Sequence, residues 1–118
     1  MQNNSIQHSI SLTEAIRLTS HFQADRPADM PICETFEKAS VLAMLAVEGA
    51  AQFRIYYGKK ENGDVCAVLV AVDAAGYDIL PPVSKTEPNN LGEEEEAIVL
   101  ENSYKCPHTC PPESPLIP

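Results

Sequence analysis

The residues best suited to chemistry lie near the C-terminus, in the segment KCPHTCPPESPLIP. This segment places Cys106, His108 and Cys110 at C-x-H-x-C spacing. Thiolate and imidazole are ligands that zinc and other soft metals prefer, and an extended chain directs alternate side chains to one side. The three residues therefore form a candidate metal site that lacks the fourth ligand of a closed structural zinc centre.

A fourth metal ligand would have to come from elsewhere in the chain or from a second copy of it. The other thiols and imidazoles belong to Cys33, Cys66, His8 and His21. The cysteines do not show the paired C-x₂-C arrangement of zinc ribbons, so their spacing does not single out a metal. The sequence thus assigns no cofactor, with zinc or another soft metal as the alternative.

The same terminal cysteines also suit thiol chemistry. A turn through Pro107 allows Cys106 and Cys110 to approach to the ~5.5 Å between Cα atoms that is common in disulfides. Their C-x₃-C spacing differs from the C-x-x-C of thioredoxin-like enzymes, and no βαβ pattern or helix N-terminus surrounds them. A disulfide under oxidising conditions and free thiols in a docked arm are therefore both open.

Elsewhere the sequence offers no recognisable catalytic set. We find no Ser/His/Asp order, Gly-rich phosphate loop or helical His pair that would indicate an enzyme. The acidic run Glu93–Glu96 is interpreted as solvated, because four packed like charges would need a cation or a basic partner. An enzyme built from scattered residues is the less favoured alternative.

The charge of the chain limits its partners. Seventeen acidic against eight basic residues give a formal net charge of −9, which repels nucleic acid and anionic membranes. Neither a secretory signal nor an apolar stretch of about 18 residues, as needed to cross a bilayer, is visible. We therefore expect a cytoplasmic protein, with non-classical export as the alternative.

Two helices are expected in the N-terminal half. Ser11, with a glutamate three residues later, fits a capping box. Apolar residues at i, i+3, i+4 and i+7 then predict a helix over residues 12–23. A second helix is predicted within residues 33–50, with Thr35 as its cap and Gly49 able to take a positive φ at its end.

The pattern changes after Gly49 to the alternation that is typical of strands. Asn62-Gly63 predicts a two-residue type I′ turn, which places Ile55 opposite Val70. A turn at Asp73–Gly76 leads into a short third strand. In this register one face of the hairpin is apolar and is expected to pack on the helices; its members are Phe53, Ile55, Tyr57, Val68, Val70 and Val72.

The hairpin also supplies a candidate interface. Arg54, Tyr56 and Tyr57 lie beside Gly58 and form the kind of aromatic–arginine cluster that is enriched in protein interfaces. The alternative is an ordinary strand face that the C-terminal tail covers.

Together these elements predict an α+β fold, in which two N-terminal helices pack on an antiparallel meander of three to four strands. Residues 1–80 would form the core domain. Residues 81–118 hold eight of the ten prolines and would form a proline-rich acidic arm, with residues 97–104 adding an edge strand.

Two segments carry a resemblance to a known family: FRIYYGKKENGDVCAVLVAVDAAGYDIL and CPHTCPP. They resemble a family of small bacterial proteins with an R-x-Y-Y-G…E-N-G…V-L-V-x-V-D…G-x-D-I hairpin and a terminal C-P-x-x-C-type motif. The resemblance covers residues 11–80 and 97–112. This chain departs from it in Ala50-Ala51, where the family has a glycine–cysteine pair, and in the three residues between its terminal cysteines. The resemblance implies the architecture and no activity.

The leading hypothesis is a non-enzymatic interaction or structural protein that binds another protein or a second copy of itself. Its contacts would be the edge of the meander and the proline-rich arm, since an exposed edge strand favours pairing with another chain. The alternative is a metal-binding or thiol-redox-responsive protein centred on Cys106, His108 and Cys110.

Overall fold

A computed structural model of the protein describes residues 6–82 and 97–117. Within these ranges the chain forms two helices, a three-stranded antiparallel sheet and a two-stranded sheet, which confirms the predicted α+β class. In chain order the elements are α1 (Leu12–Ala24), β1 (Cys33–Thr35), α2 (Lys38–Leu45), β2 (Ala50–Lys59), β3 (Val65–Asp73), β4 (Asp78–Ile79) and β5 (Tyr104–Cys106). The larger sheet has the order β2-β3-β4, and β1 pairs with β5.

Helix α1 begins where the sequence predicts. Ser11 has extended backbone angles, and its hydroxyl accepts a hydrogen bond from the backbone N–H of Glu14 at 3.0 Å. The helix ends at Ala24, shortly before Pro27, which cannot continue it. None of its residues is buried, so α1 adds little to the core. Neither helix of the described residues is long and apolar enough to cross a membrane.

Helix α2 is shorter than predicted. It begins at Lys38, and Cys33–Thr35, the segment that ends at the predicted cap, form β1. Thr35 lies opposite Tyr104 and does not cap the helix, so the predicted start was wrong. Pairing with the arm outweighs the modest helix propensity of so short a segment. Gly49 takes a φ of 90° between α2 and β2, as its position at a turn requires.

The turn between β2 and β3 differs from the predicted type. The N–H of Lys60 donates to the carbonyl of Asp64 at 2.8 Å, and the N–H of Gly63 donates to the carbonyl of Lys60 at 2.9 Å. Gly63 has a φ of 96°, whereas Asn62 is not among the residues of positive φ. This is a three-residue loop with a left-handed glycine, and it replaces the predicted two-residue type I′ turn.

The longer loop changes the partners across the hairpin. Ile55 lies opposite Leu69, and Arg54 takes the predicted place of Ile55 opposite Val70. Because a shift of one residue moves the side chains of one strand to the opposite face, an apolar face forms as predicted, but the prediction that Val68, Val70 and Val72 lie on it was wrong. One face carries Phe53, Ile55, Tyr57, Ala67, Leu69 and Ala71, and the other carries Gln52, Arg54, Tyr56, Val68, Val70 and Val72.

The core lies between α2 and the first of these faces. Met44 is fully buried and packs with Leu69 and Ala71. On the opposite face Val70 and Val72 are also buried, so β3 is covered on both sides. The partly buried apolar side chains around Met44 are Phe36, Val41, Leu45, Val47, Ala50, Ala67, Ile79 and Leu100.

Segments from several parts of the chain cover the edge of β3 that faces away from β2; we call it the covered edge. Alternate residues of β3 direct their backbone N–H groups toward it. Ala71 pairs there with Ile79 of β4, the predicted third strand. The acceptors for Val65, Ala67, Leu69 and Asp73 are the Asp29 carbonyl (2.8 Å), the Glu34 carboxylate (3.4 Å), the Leu100 carbonyl (2.8 Å) and the Tyr77 carbonyl (2.9 Å).

The arm reaches both sheets. Leu100 forms an isolated antiparallel bridge with Leu69, and β5 then pairs with β1. In place of the expected edge strand over residues 97–104, the arm forms one bridge to β3 at Leu100. The short strand β5 begins at Tyr104 and pairs with β1. The predicted acidic run Glu93–Glu96 lies outside the described residues.

Candidate functional site

The terminal cysteines are joined in this structure. Cys106, the last residue of β5, forms a disulfide with Cys110, with 4.6 Å between their Cα atoms. The chain turns back between them, and the N–H of Thr109 donates to the carbonyl of Lys105 at 2.7 Å. Cys106 is fully buried, whereas Cys110 is exposed. One cysteine of the bond thus lies inside the fold and the other lies at the surface.

His108 lies in the exposed turn between the two cysteines. In the disulfide form neither sulfur is a thiolate, so Cys106 and Cys110 cannot act with His108 as the predicted ligand set. Among the described residues there is no group of three or more His, Cys, Asp or Glu side chains arranged to hold a metal ion. The predicted metal site therefore applies to the reduced form of this segment.

A third cysteine lies next to this disulfide. Cys33 of β1 is the direct antiparallel partner of Cys106, and it is a half-buried free thiol. The remaining cysteine, Cys66, is also free and is only 5% exposed, in keeping with its interpretation as a small buried hydrophobe. The sequence does not indicate the pairing of Cys33 with Cys106, because Cys33 falls in the segment predicted to hold the second helix.

Charged residues join the two sheets beside the cysteines. The Glu34 carboxylate accepts hydrogen bonds from the Ser103 hydroxyl at 2.7 Å and from the backbone N–H of Ala67 at 3.4 Å. Lys105 lies opposite Glu34 in the β1–β5 pair, with 3.5 Å between its ammonium and that carboxylate. Glu34 thereby contacts β3 and the arm together.

A second ion pair joins the arm to the loop end of the β2–β3 hairpin. The Lys60 ammonium lies 2.8 Å from the Glu101 carboxylate, and Lys105 lies 3.9 Å from it. The contact with the Lys60 ammonium is the main reason that the pKa of Glu101 falls below its usual value of 4.5, while burial opposes the shift. The same contact raises the pKa of Lys60 above its usual 10.5.

The predicted interface residues divide between the two faces of the hairpin. The guanidinium of Arg54 lies 2.6 Å from the Asp78 carboxylate, and the Tyr56 hydroxyl donates to the other oxygen of that carboxylate. Tyr57 points to the opposite face and is 75% exposed. Arg54 and Tyr56 thus form a cluster with Asp78 of β4, and Tyr57 belongs to another surface.

Tyr57 lies beside the outer edge of β2, which we call the open edge. Because the odd-numbered residues of β3 bond to the covered edge, its even-numbered residues must bond to β2. Their partners are the even-numbered residues of β2 from Gln52 to Gly58. The backbone N–H and C=O groups of Phe53, Ile55 and Tyr57 therefore point away from the sheet, and within the described ranges no strand pairs with them.

The open edge also carries apolar side chains. Phe53 and Ile55 are each 47% exposed, although the predicted register assigned both to the buried face. Tyr57 completes the row at alternate positions. The tertiary fold explains this exposure, since α2 is only eight residues long and packs on Leu69 and Ala71 of the next strand.

Comparison with known proteins yields no relative for this chain: no family model, no curated protein and no solved structure matches it. The geometry of the described residues is therefore the basis for assigning a function.

Proposed function

We propose that the protein is a non-enzymatic interaction protein that binds by strand addition at the open edge. The observation that carries this proposal is the ten-residue strand β2, whose outward backbone groups and exposed apolar side chains lie on the same three residues, Phe53, Ile55 and Tyr57. In strand addition, main-chain hydrogen bonds supply affinity, and alternate side chains supply specificity.

A second copy of the chain is the partner that best fits this edge. Two β2 strands that pair antiparallel across a two-fold axis must match odd residues with odd residues, because these carry the outward hydrogen-bonding groups. The strand spans Ala50–Lys59, so the two possible two-fold axes nearest its middle pass through Arg54 and through Ile55. Either choice joins three strands from each copy into one continuous sheet.

The two registers differ in the pairs that they create. With the axis at Arg54, the two arginines lie directly opposite one another, which is destabilising. With the axis at Ile55, Phe53 of one copy faces Tyr57 of the other, and Arg54 faces Tyr56. Aromatic pairs directly opposite each other contribute about 0.2–1 kcal/mol each. The axis at Ile55 is therefore the register that we propose.

Electrostatics opposes this association. The chain has a net charge of −9, so two copies of it repel each other. Because salt screens such repulsion, self-association should strengthen as ionic strength rises. An interface held mainly by surface ion pairs would weaken instead.

Two matched substitutions test the proposal by sedimentation equilibrium from micromolar to millimolar concentration. Tyr57→Lys puts a charge on the open edge, where lysine is a natural obstacle to strand pairing. Tyr77→Lys is the control, because Tyr77 is 72% exposed against 75% for Tyr57 but lies in the β3–β4 turn. We expect the wild type and Tyr77→Lys to associate equally and Tyr57→Lys to remain monomeric. A wild-type protein that stays monomeric throughout would overturn self-association, and equal loss in both variants would overturn the role of the edge.

A second candidate function rests on a different observation, the disulfide between the buried residue Cys106 and the exposed residue Cys110. We infer that this pair can act as a reversible thiol–disulfide couple. Disulfides of cytosolic proteins are usually transient and redox-sensing, so the expected cytoplasmic location favours this use. The metal-binding alternative on Cys106, His108 and Cys110 would then belong to the reduced state.

Native mass spectrometry separates these thiol functions. The redox function predicts a mass lower by two hydrogen atoms that reductant restores, and metal binding predicts an added ion that a chelator removes from the reduced protein. A mass that is insensitive to both reagents would contradict both and leave the segment a structural part of the arm.

A further inference from the structure

Cys33 and Cys106 are directly opposite each other in the antiparallel β1–β5 pair. Such partners have Cα atoms about 4.5–5.5 Å apart and side chains on the same face. Disulfides span Cα separations of about 4.4–6.8 Å, so a Cys33–Cys106 bond would fit without moving the strands. Cys106 is therefore in reach of two partners, Cys33 on the neighbouring strand and Cys110 in its own turn.

We propose that Cys33 is the third member of an internal thiol–disulfide exchange. The Cys33 thiolate attacks the Sγ of Cys106, a bond forms between these sulfurs, the Cys106–Cys110 bond breaks, and Cys110 leaves as a thiolate. A proton lost by Cys33 is balanced by the one that Cys110 takes up, and no electrons are gained or lost. The inference deepens the second candidate function and rests on it.

The three cysteines differ in burial, so the exchange moves the disulfide from one part of the fold to another. Cys106 is fully buried and cannot meet a macromolecular thiol, whereas Cys110 is exposed and Cys33 is half-buried. The exchange therefore passes the disulfide from the exposed turn to the β1–β5 pair. It leaves a free thiol on the surface at Cys110, available to a disulfide of glutathione or of another protein.

The exchange also changes what links the arm to the rest of the chain. In the Cys106–Cys110 form the bond closes a loop within the arm. In the Cys33–Cys106 form it joins the arm covalently to the segment before α2, beside the Glu34–Lys105 ion pair. The exchange thus decides whether the disulfide closes a turn within the arm or links the arm covalently to β1.

The primary test is a disulfide map of the Cys110→Ser variant after treatment with oxidised glutathione. Trypsin cuts after Lys38 and Lys105, which places Cys33 and Cys106 on separate peptides. We expect a Cys33–Cys106 crosslink and a whole-protein mass lower by two hydrogen atoms. The double variant Cys33→Ser/Cys110→Ser is the control and should form no internal bond. Failure of Cys110→Ser to form the crosslink, with its fold retained, would overturn the inference.

A measurement on the wild type covers the case in which Cys110→Ser does not fold. The oxidised protein is incubated with an alkylating reagent and without reductant, then mapped. We expect alkylated Cys110 together with a Cys33–Cys106 crosslink, and in Cys33→Ser about tenfold less alkylation of Cys110, because the internal nucleophile is gone. Alkylation of Cys33 alone, with an intact Cys106–Cys110 bond, would refute the exchange.

The outcomes also separate this inference from the function on which it rests. If Cys33→Ser forms a reversible Cys106–Cys110 disulfide but no crosslink to Cys33 is found in the other proteins, the redox couple stands and the exchange fails. If Cys33→Ser forms no Cys106–Cys110 disulfide under any oxidant, the redox function itself fails.

Discussion

The hairpin of β2 and β3 has two outer edges, and their backbone groups differ in whether they have partners. On the covered edge every alternate position of β3 meets a partner, and these partners include a side-chain carboxylate and a carbonyl of the arm. On the open edge three successive outward positions of β2 meet no strand of the described residues. The contrast is the basis for our proposal that the open edge is a site of association.

The protections that are usual for an edge strand lie mainly at the ends of the open edge, and the charge at its centre, Arg54, is paired with Asp78. Natural edge strands are blunted by charges, prolines or bulges. In β2 the register irregularity lies at Ala50/Gln52 and Lys59 lies at the opposite end. Between them, Phe53, Ile55 and Tyr57 present apolar side chains at the positions where another strand would pair. We propose that the stretch between these ends is the pairing site.

Proline substitutions should break the contrast most strongly. Tyr56→Pro removes an N–H that bonds to β3, so we expect a loss of about 3 kcal/mol in the free energy of unfolding. Ile55→Pro removes an outward N–H, which an edge strand tolerates, so stability should change by less than about 1 kcal/mol while self-association is lost. Urea denaturation and sedimentation measure the two effects. Equal destabilisation by both prolines would refute the assigned direction of the β2 backbone.

Removing the arm's apolar contact should have the next largest effect. Leu100 packs against the core, and we expect Leu100→Ala to lower the free energy of unfolding by about 2 kcal/mol. Ile98→Ala is the matched control, since Ile98 is 36% exposed and does not belong to the core cluster. Urea denaturation of both variants checks this. A cost for Ile98→Ala as large as that for Leu100→Ala would mean that the arm does not close the edge through Leu100.

The smallest effect concerns the ion pair between Lys60 and Glu101. Because folding lowers the pKa of Glu101 from 4.5, its contribution to stability is present above about pH 4.5 and is lost as pH falls through the lowered value. Folding raises the pKa of Lys60 from 10.5, so its contribution is present below that pH and is lost as pH rises through the raised value.

Unfolding of the wild type and of Glu101→Gln across pH measures this contribution. The variant should be less stable by about 0.5 kcal/mol near neutrality, as for a partly exposed pair, and the difference should disappear in acid. A difference that persists in strong acid would show that the carboxylate charge is not its cause.

Local signals in the sequence predict local structure here. The Ser11 cap needs only the backbone of the next turn, and it forms as predicted. Asn62-Gly63 fits both a two-residue and a three-residue loop, so the choice between them, and with it the register, depends on the packing of β3. The pairing of Cys33 with Cys106 joins distant parts of the chain, and no spacing in the sequence indicates it.

The candidate sites also divide into those that residue types indicate and those that depend on contacts between distant parts of the chain. The cysteines and the Arg54–Tyr56 pair could be named from residue types alone. The open edge at Phe53 and Ile55 could not, because a one-residue change in the loop decides which groups of β2 face outward. Asp78 escaped notice as well, since its contacts with Arg54 and Tyr56 depend on the pairing of β4 with β3.

Amide hydrogen exchange of individual β2 residues, followed as protein concentration rises, shows whether the open edge pairs with a second copy. We predict that Arg54 and Tyr56 are protected at every concentration, because their N–H groups bond to β3. The amides of Phe53, Ile55 and Tyr57 should exchange rapidly in dilute solution and slow together as the copies associate. Protection of these three amides already in the most dilute sample, or exchange that does not change with concentration, would contradict an open edge that pairs with a second copy.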